Sequence, residues 1–178
     1  MNQLTAYIGK SVLRKRQKTV VRDKSVQNFT TAKSAVILFD TSLPNCFEPI
    51  KDFTKFLKKE GIKTSVFGLV AQKETPQEML LWANFSFITR KDINWYGSPQ
   101  GEVADSYYKK HPDMLIVISM EENLALEYLI RLSDAKFKIG CFTENDNDLD
   151  FMINPSNMQC ETDYFISQIR HYVQLLNP

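Results

Sequence analysis

The stretch DMLIVIS, Asp113–Ser119, decides the fold. Five consecutive apolar residues stand between an acidic and a hydroxyl residue, with no alternation. A strand with one wet face alternates apolar and polar side chains, whereas a strand covered on both faces is apolar throughout. SAVILFD, Ser34–Asp40, has the same character. Two such strands in one chain predict a parallel sheet with helices on both faces.

The intervals between strands support this. Phe47, Ile50, Phe53, Phe56 and Leu57 recur at helical spacing with lysines opposite, and Gly61 follows as a stop. KTSVFGLV (Lys63–Val70) and FSFI (Phe85–Ile88) read as strands. Thr75-Pro76-Gln77-Glu78 reads as a capping box opening a short helix through Met79–Ala83. Helices are predicted over Glu102–Lys110 and Glu121–Leu132, and short strands over Phe137–Phe142 and Asp150–Ile153. A last helix, capped by Thr162 or Asp163, carries Phe165, Ile166, Ile169, Tyr172, Val173 and Leu176 on its apolar face. The expectation is one α/β three-layer, Rossmann-like domain over residues 34–178. Its sheet should have five to six mostly parallel strands. Residues 1–33 form a basic N-terminal helical arm.

The chain has 178 residues and a net charge of only +1, unevenly spread. Residues 1–33 carry eight basic side chains and one acid, and the remainder carries an excess of six acids. Lys10, Arg14 and Lys18 form an i, i+4 stripe whose like charges repel by a few tenths of a kcal/mol per pair. One reading is a solvated helix packed on the body and neutralised by the body's own acids. Another is a polyanion-binding arm using Lys10, Arg14, Lys15, Arg16, Lys18 and Arg22, with structured RNA or a ribonucleoprotein as the first expectation. A membrane surface is disfavoured because the arm's apolar face is short and lacks Trp and Phe. With no aromatic residue among the basic ones, phosphate contact would be blind to sequence and sensitive to salt.

Several activities are disfavoured. The loop after the first strand, Asp40–Asn45, has no glycine, so it has neither the dinucleotide fingerprint nor a P-loop. No cofactor is therefore expected. Three cysteines without a CxxC spacing, and two separated histidines, predict neither a disulfide framework nor a zinc site. Glu144, Asp146, Asp148 and Asp150 alternate in the manner of a calcium loop. The required glycine and terminal glutamate are absent, so a solvated turn is expected and no metal is assigned. No apolar run reaches the roughly 20 residues of a membrane span, and no secretory leader pattern is read at the N-terminus. A cytoplasmic location is expected.

Ligands of open α/β sheets sit beyond the carboxyl ends of the strands. A small-molecule pocket would therefore draw on Asp40, Asn45, Trp95, Tyr96 and Glu121. His111 precedes Pro112 at the opposite end of a strand, away from such a pocket. Ser42 and Cys46 have no histidine nearby in sequence, and no catalytic residue is assigned.

Two resemblances bear on these expectations. IRLSDAKFKIG, Ile130–Gly140, with the strand and helix before it, resembles the N-terminal half of heptosyltransferase-type glycosyltransferases. That likeness implies a Rossmann-like fold and, as one alternative, a reduced glycosyltransferase-like domain holding a nucleotide-sugar or other small molecule. Where that family has a Gly-Asp pair supplying a catalytic carboxylate, this chain has Pro44-Asn45, and an amide cannot serve as general base. The whole chain also resembles an uncharacterised Bacteroidota family of small proteins. The residues that carry this likeness are a basic N-terminal segment, Lys91-Asp92-Ile93-Asn94-Trp95-Tyr96-Gly97 and Ser133–Gly140. It implies a single cytoplasmic Rossmann-like domain without an established activity. A non-catalytic binding or assembly module is the favoured expectation, with a protein-partner or homo-oligomer module using the Trp95–Tyr96 loop as a further alternative.

Overall fold

The computed structural model describes residues 3–75, 79, 82, 84–121, 123–154 and 161–178. In chain order its elements are α1 (Gln3–Gln17), β1 (Ser34–Asp40), α2 (Phe47–Lys59), β2 (Lys63–Leu69), β3 (Phe85–Ile88), a single 3-10 turn (Arg90–Asp92), α3 (Glu102–Tyr108), β4 (Met114–Ile118), α4 (Leu124–Leu132), β5 (Phe137–Cys141), β6 (Phe151–Ile153) and α5 (Thr162–Leu175). The predicted Thr75–Glu78 capping box and its helix fall largely outside the described residues, as do Glu122 and Cys160.

The six strands form one sheet in the order β3-β2-β1-β4-β5-β6, and every pairing is parallel. This is a Rossmann-like doubly wound order, with its switch point between β1 and β4. The apolar runs at β1 and β4 become the two central strands. β4 is buried along its whole length, and β1 from Ala35 onward. Alternate residues feed two cores. Ile37, Phe39, Ile116 and Ile118 pack under α2 and α5. Val36, Leu38, Leu115 and Val117 pack under α3 and α4. Each buried Val, Leu or Ile contributes about 1.5–3 kcal/mol.

Local sequence sets the helix ends. After α2 the amide of Gly61 donates to Lys58 O at 3.1 Å, and that of Ile62 to Leu57 O at 2.9 Å. This is a Schellman ending, and Gly61 takes the left-handed φ of 78° that it needs. The predicted start of α4 at Glu121 is corrected. Asn123 is its N-cap, with Oδ1 accepting from Ala125 N at 2.9 Å, so the helix begins at Leu124. Glu121 precedes the cap and is not in the helical first turn.

α1 lies across α4. Leu13 is 1 % exposed, and the Tyr128 hydroxyl donates to Gly9 O at 2.7 Å. Gly9 permits this approach: a Cβ there would collide with the Tyr96 carbonyl oxygen and the Leu124 side chain. Among the described residues no helix is long and apolar enough to cross a membrane.

Candidate functional site

The helix packing leaves a cleft of about 520 Å³ at the C-terminal edge of β4 and β5. Lys10, Arg14 and Gln17 of α1 form one wall, and Asp146 with its neighbours in the loop after β5 forms another. Apolar side chains, among them Leu13, Val117, Leu126 and Ile130, line it as well. Its volume falls in the range of small-molecule and peptide sites.

The loop walling this cleft is held by charge. Lys138, the second residue of β5, is fully buried. Its Nζ donates at 2.6 Å both to Asp148 Oδ2 and to the Ile130 carbonyl near the end of α4. Burial lowers its pKa to about 8, against the opposing pull of Asp148. The arm arrives at the same cluster. Arg22, whose side chain is 6 % exposed, pairs with Asp150, stands 3.7 Å from Asp148 and donates to Ala135 O at 2.8 Å. Lys24 also reaches Asp150, at 3.2 Å. Burial works against ionisation of Asp150, but the Arg22 guanidinium, the Lys138 amide and Lys24 hold its carboxyl below the usual range. Arg131 completes the wall by bridging Glu127 and Asp146. The expected solvated turn over Glu144–Asp150 is corrected in part: Glu144 and Asp146 are exposed, Asp146 while pairing with Arg131, whereas Asp148 and Asp150 are ion-paired through partly buried side chains and fasten the loop. Among the described residues no His, Cys, Asp and Glu cluster is arranged to hold a metal.

The predicted arm cations divide into two groups. Arg16 and Arg22 engage the body through their guanidinium groups, Arg16 from an exposed position. Arg16 donates to Ser98 Oγ at 3.1 Å and lies over the Tyr108 and Tyr128 rings. Lys10, Arg14, Lys15 and Lys18 are exposed, and none has an ion-pair partner among the described residues. Lys10 and Arg14 edge the cleft.

The five residues expected to share one pocket are separated. Glu121 lines the cleft. Asp40 lines a second depression, of about 290 Å³, beyond the C-terminal ends of β1 and β2. Asn45 is exposed in the loop before α2 with φ of 52°. Trp95 is 65 % exposed and stacks edge-on against Tyr96, which packs under α1. None of these three lines either depression.

Cys46 is buried at the N-cap of α2, and burial pushes its thiol up to about 11, so it is a poor nucleophile at neutral pH. His111 sits at the N-terminal end of β4, paired with Asp134, and His171 is exposed on α5. Lys138 is the site residue that sequence reasoning missed. The available signal was a lysine inside an otherwise apolar strand, followed by a run of aspartates.

No curated protein matches this chain. A family model does, over residues 6–176, a span that takes in the cleft, the ion cluster and all but the first residues of α1. The chain belongs to that family, a family of unknown function (DUF6913).

Proposed function

We propose that this protein is a non-catalytic binding module that docks an anionic partner, a single strand of RNA, along the outer flank of α1 and across the mouth of the cleft. The observation that carries this reading is the unpaired row Lys10, Arg14, Lys18. Lys18 follows one residue past the end of α1, and Lys10 and Arg14 lie four residues apart within it, hence about 6 Å along the helix axis. That is close to one phosphate step of an extended strand. The row costs the free protein some repulsion, which a phosphate backbone would relieve. The carboxylates on the cleft's other walls, Glu121 and Asp146, confine phosphates to the α1 side. This one-sided arrangement suits a single strand better than a duplex.

Fluorescence anisotropy with a labelled RNA 12-mer tests it. Neutralising three phosphates of a single strand gives a salt slope of about −2, so affinity should fall about 15–20-fold between 50 and 200 mM salt. The triple change Lys10→Glu, Arg14→Glu, Lys18→Glu should abolish binding. The same reversal of the exposed lysines Lys58 and Lys59, on the opposite face, should leave it nearly intact. Binding that the triple change spares, or that the α2 pair removes equally well, would refute docking on α1.

A further inference from the structure

The second depression supports a separate inference. It lies beyond the C-terminal ends of β1 and β2, against the start of α4, and it shares only Asn123 and Leu124 with the cleft. Its lining is largely aliphatic: Leu69, Val70, Ile93 and Leu124 contribute. Two charged residues interrupt this surface. Asp40, at the C-terminal end of β1, is 8 % exposed. Its Oδ1 accepts the Ser42 amide at 2.8 Å, while its other oxygen has no donor among the described residues. That second oxygen is not sealed from solvent, so it is open to a donor or a cation entering the hollow. Arg90 lines the same depression, is exposed, and has no carboxylate within ion-pair distance among the described residues. The two opposite charges edge one apolar hollow without meeting.

We infer that this depression binds a small zwitterion, an α-amino acid with an aliphatic side chain. Its ammonium would donate to the open oxygen of Asp40, its carboxylate would pair with Arg90, and its side chain would lie against Ile93 and Leu124, the partly exposed aliphatic residues of the lining. The volume of about 290 Å³ is at the lower end of small-molecule sites and too small for a dinucleotide. The balanced pair of charges also disfavours a purely anionic ligand. Such a site is independent of the RNA reading, and either can fail without the other.

Calorimetric titration with L-leucine is the test. Leucinamide, which lacks the carboxylate, 4-methylvalerate, which lacks the ammonium, and ribose 5-phosphate serve as comparison ligands. L-Leucine should bind saturably, and each half-analogue at least ten-fold more weakly. Asp40→Asn and Arg90→Ala should each cost ten-fold or more. Asn retains the oxygen that accepts the Ser42 amide, and Arg90 is exposed, so native thermal unfolding is expected of both. Arg90→Ala alone decides the matter if Asp40→Asn unfolds. Saturable leucine binding that is lost in the variants supports the site. No binding, binding unchanged in the variants, or binding of ribose 5-phosphate in preference to leucine overturns it.

Discussion

Replacing Lys138 by Met tests the ion cluster behind the cleft, and its effect should depend on pH in a definite direction. Lys138 is fully buried, and its pKa is near 8 instead of the usual 10.5. Between those values the unfolded chain holds a proton that the native state has released. Raising the pH through that window therefore favours the native state. The gap between 10.5 and 8 sets a ceiling of about 3 kcal/mol, and about 2 kcal/mol of it is realised by pH 9.5. Met keeps most of the volume but cannot titrate. It also leaves the Ile130 carbonyl and one Asp148 oxygen without their donor, which should cost about 1–3 kcal/mol at pH 7. Cys46 works in the opposite sense: its thiol is raised, so above the usual thiol pKa rising pH favours the unfolded chain. Both proteins carry Cys46, so the difference between them isolates Lys138. Urea unfolding followed by far-UV circular dichroism at pH 7 and 9.5 should show Lys138→Met less stable at both, with the gap about 2 kcal/mol wider at pH 9.5. A gap that is constant or narrows would refute the assignment of a low pKa to this buried lysine.

Two further substitutions test how the arm is fastened. Gly9→Ala gains about 1 kcal/mol of helix propensity but drives a methyl group into the Tyr96 carbonyl; it should lower the melting temperature, and a rise would show that α1 does not pack as described. Asp150→Asn removes the charge that holds Arg22 and Lys24. Because the Asp150 carboxyl titrates below its usual range, the stability it contributes is present above that range and lost as pH falls through the native value. The variant should therefore lose about 1–3 kcal/mol at pH 7 and converge with the wild type in acid, and trypsin should cut after Arg22 or Lys24 more readily in it than in the wild type.

The central strands were legible because burial on both faces writes itself as an unbroken apolar run, and a Rossmann-like sheet follows from two such runs separated by helices. The boundary of α4 was not legible from Glu121. Either a glutamate in the first turn or an asparagine N-cap satisfies a helix start locally, and only the Asn123–Ala125 bond decides between them. Strand ends are legible, and they put Asp40 and Glu121 at the C-terminal rim of the sheet. Sequence could not show that α4 intervenes, with Asn123 and Leu124 shared by two separate hollows. Trp95 and Tyr96 are neighbours in the chain, yet Trp95 is exposed while Tyr96 is partly buried with its carbonyl oxygen against Gly9 of α1, a long-range contact that the local sequence does not signal. The acidic run from Glu144 could be read only as a repeat of charges. Its partners lie more than 120 residues away at Arg22 and within a strand at Lys138, and neither distance leaves a periodic trace.

The uneven charge of the chain has two parts with different physical consequences. Arg16, Arg22 and Lys24 meet aromatic rings, a hydroxyl or carboxylates of the body, so the fold offsets the cost of bringing them close together. Lys10, Arg14, Lys15 and Lys18 receive no such compensation among the described residues. If the arm were present only to cover α4, Leu13, Gly9 and the Arg22 cluster would suffice, and neutral residues along the outer flank would remove a standing repulsion at no loss of packing. The anchored group also gives the exposed group a fixed geometry: because Tyr128 holds α1 against the body and Arg22 fastens the segment after it, Lys10 and Arg14 stand about one turn apart on the rim of a cleft. A charge row on a detached helix would attract an anion without orienting it, whereas a fastened one can impose a direction on a strand lying along it.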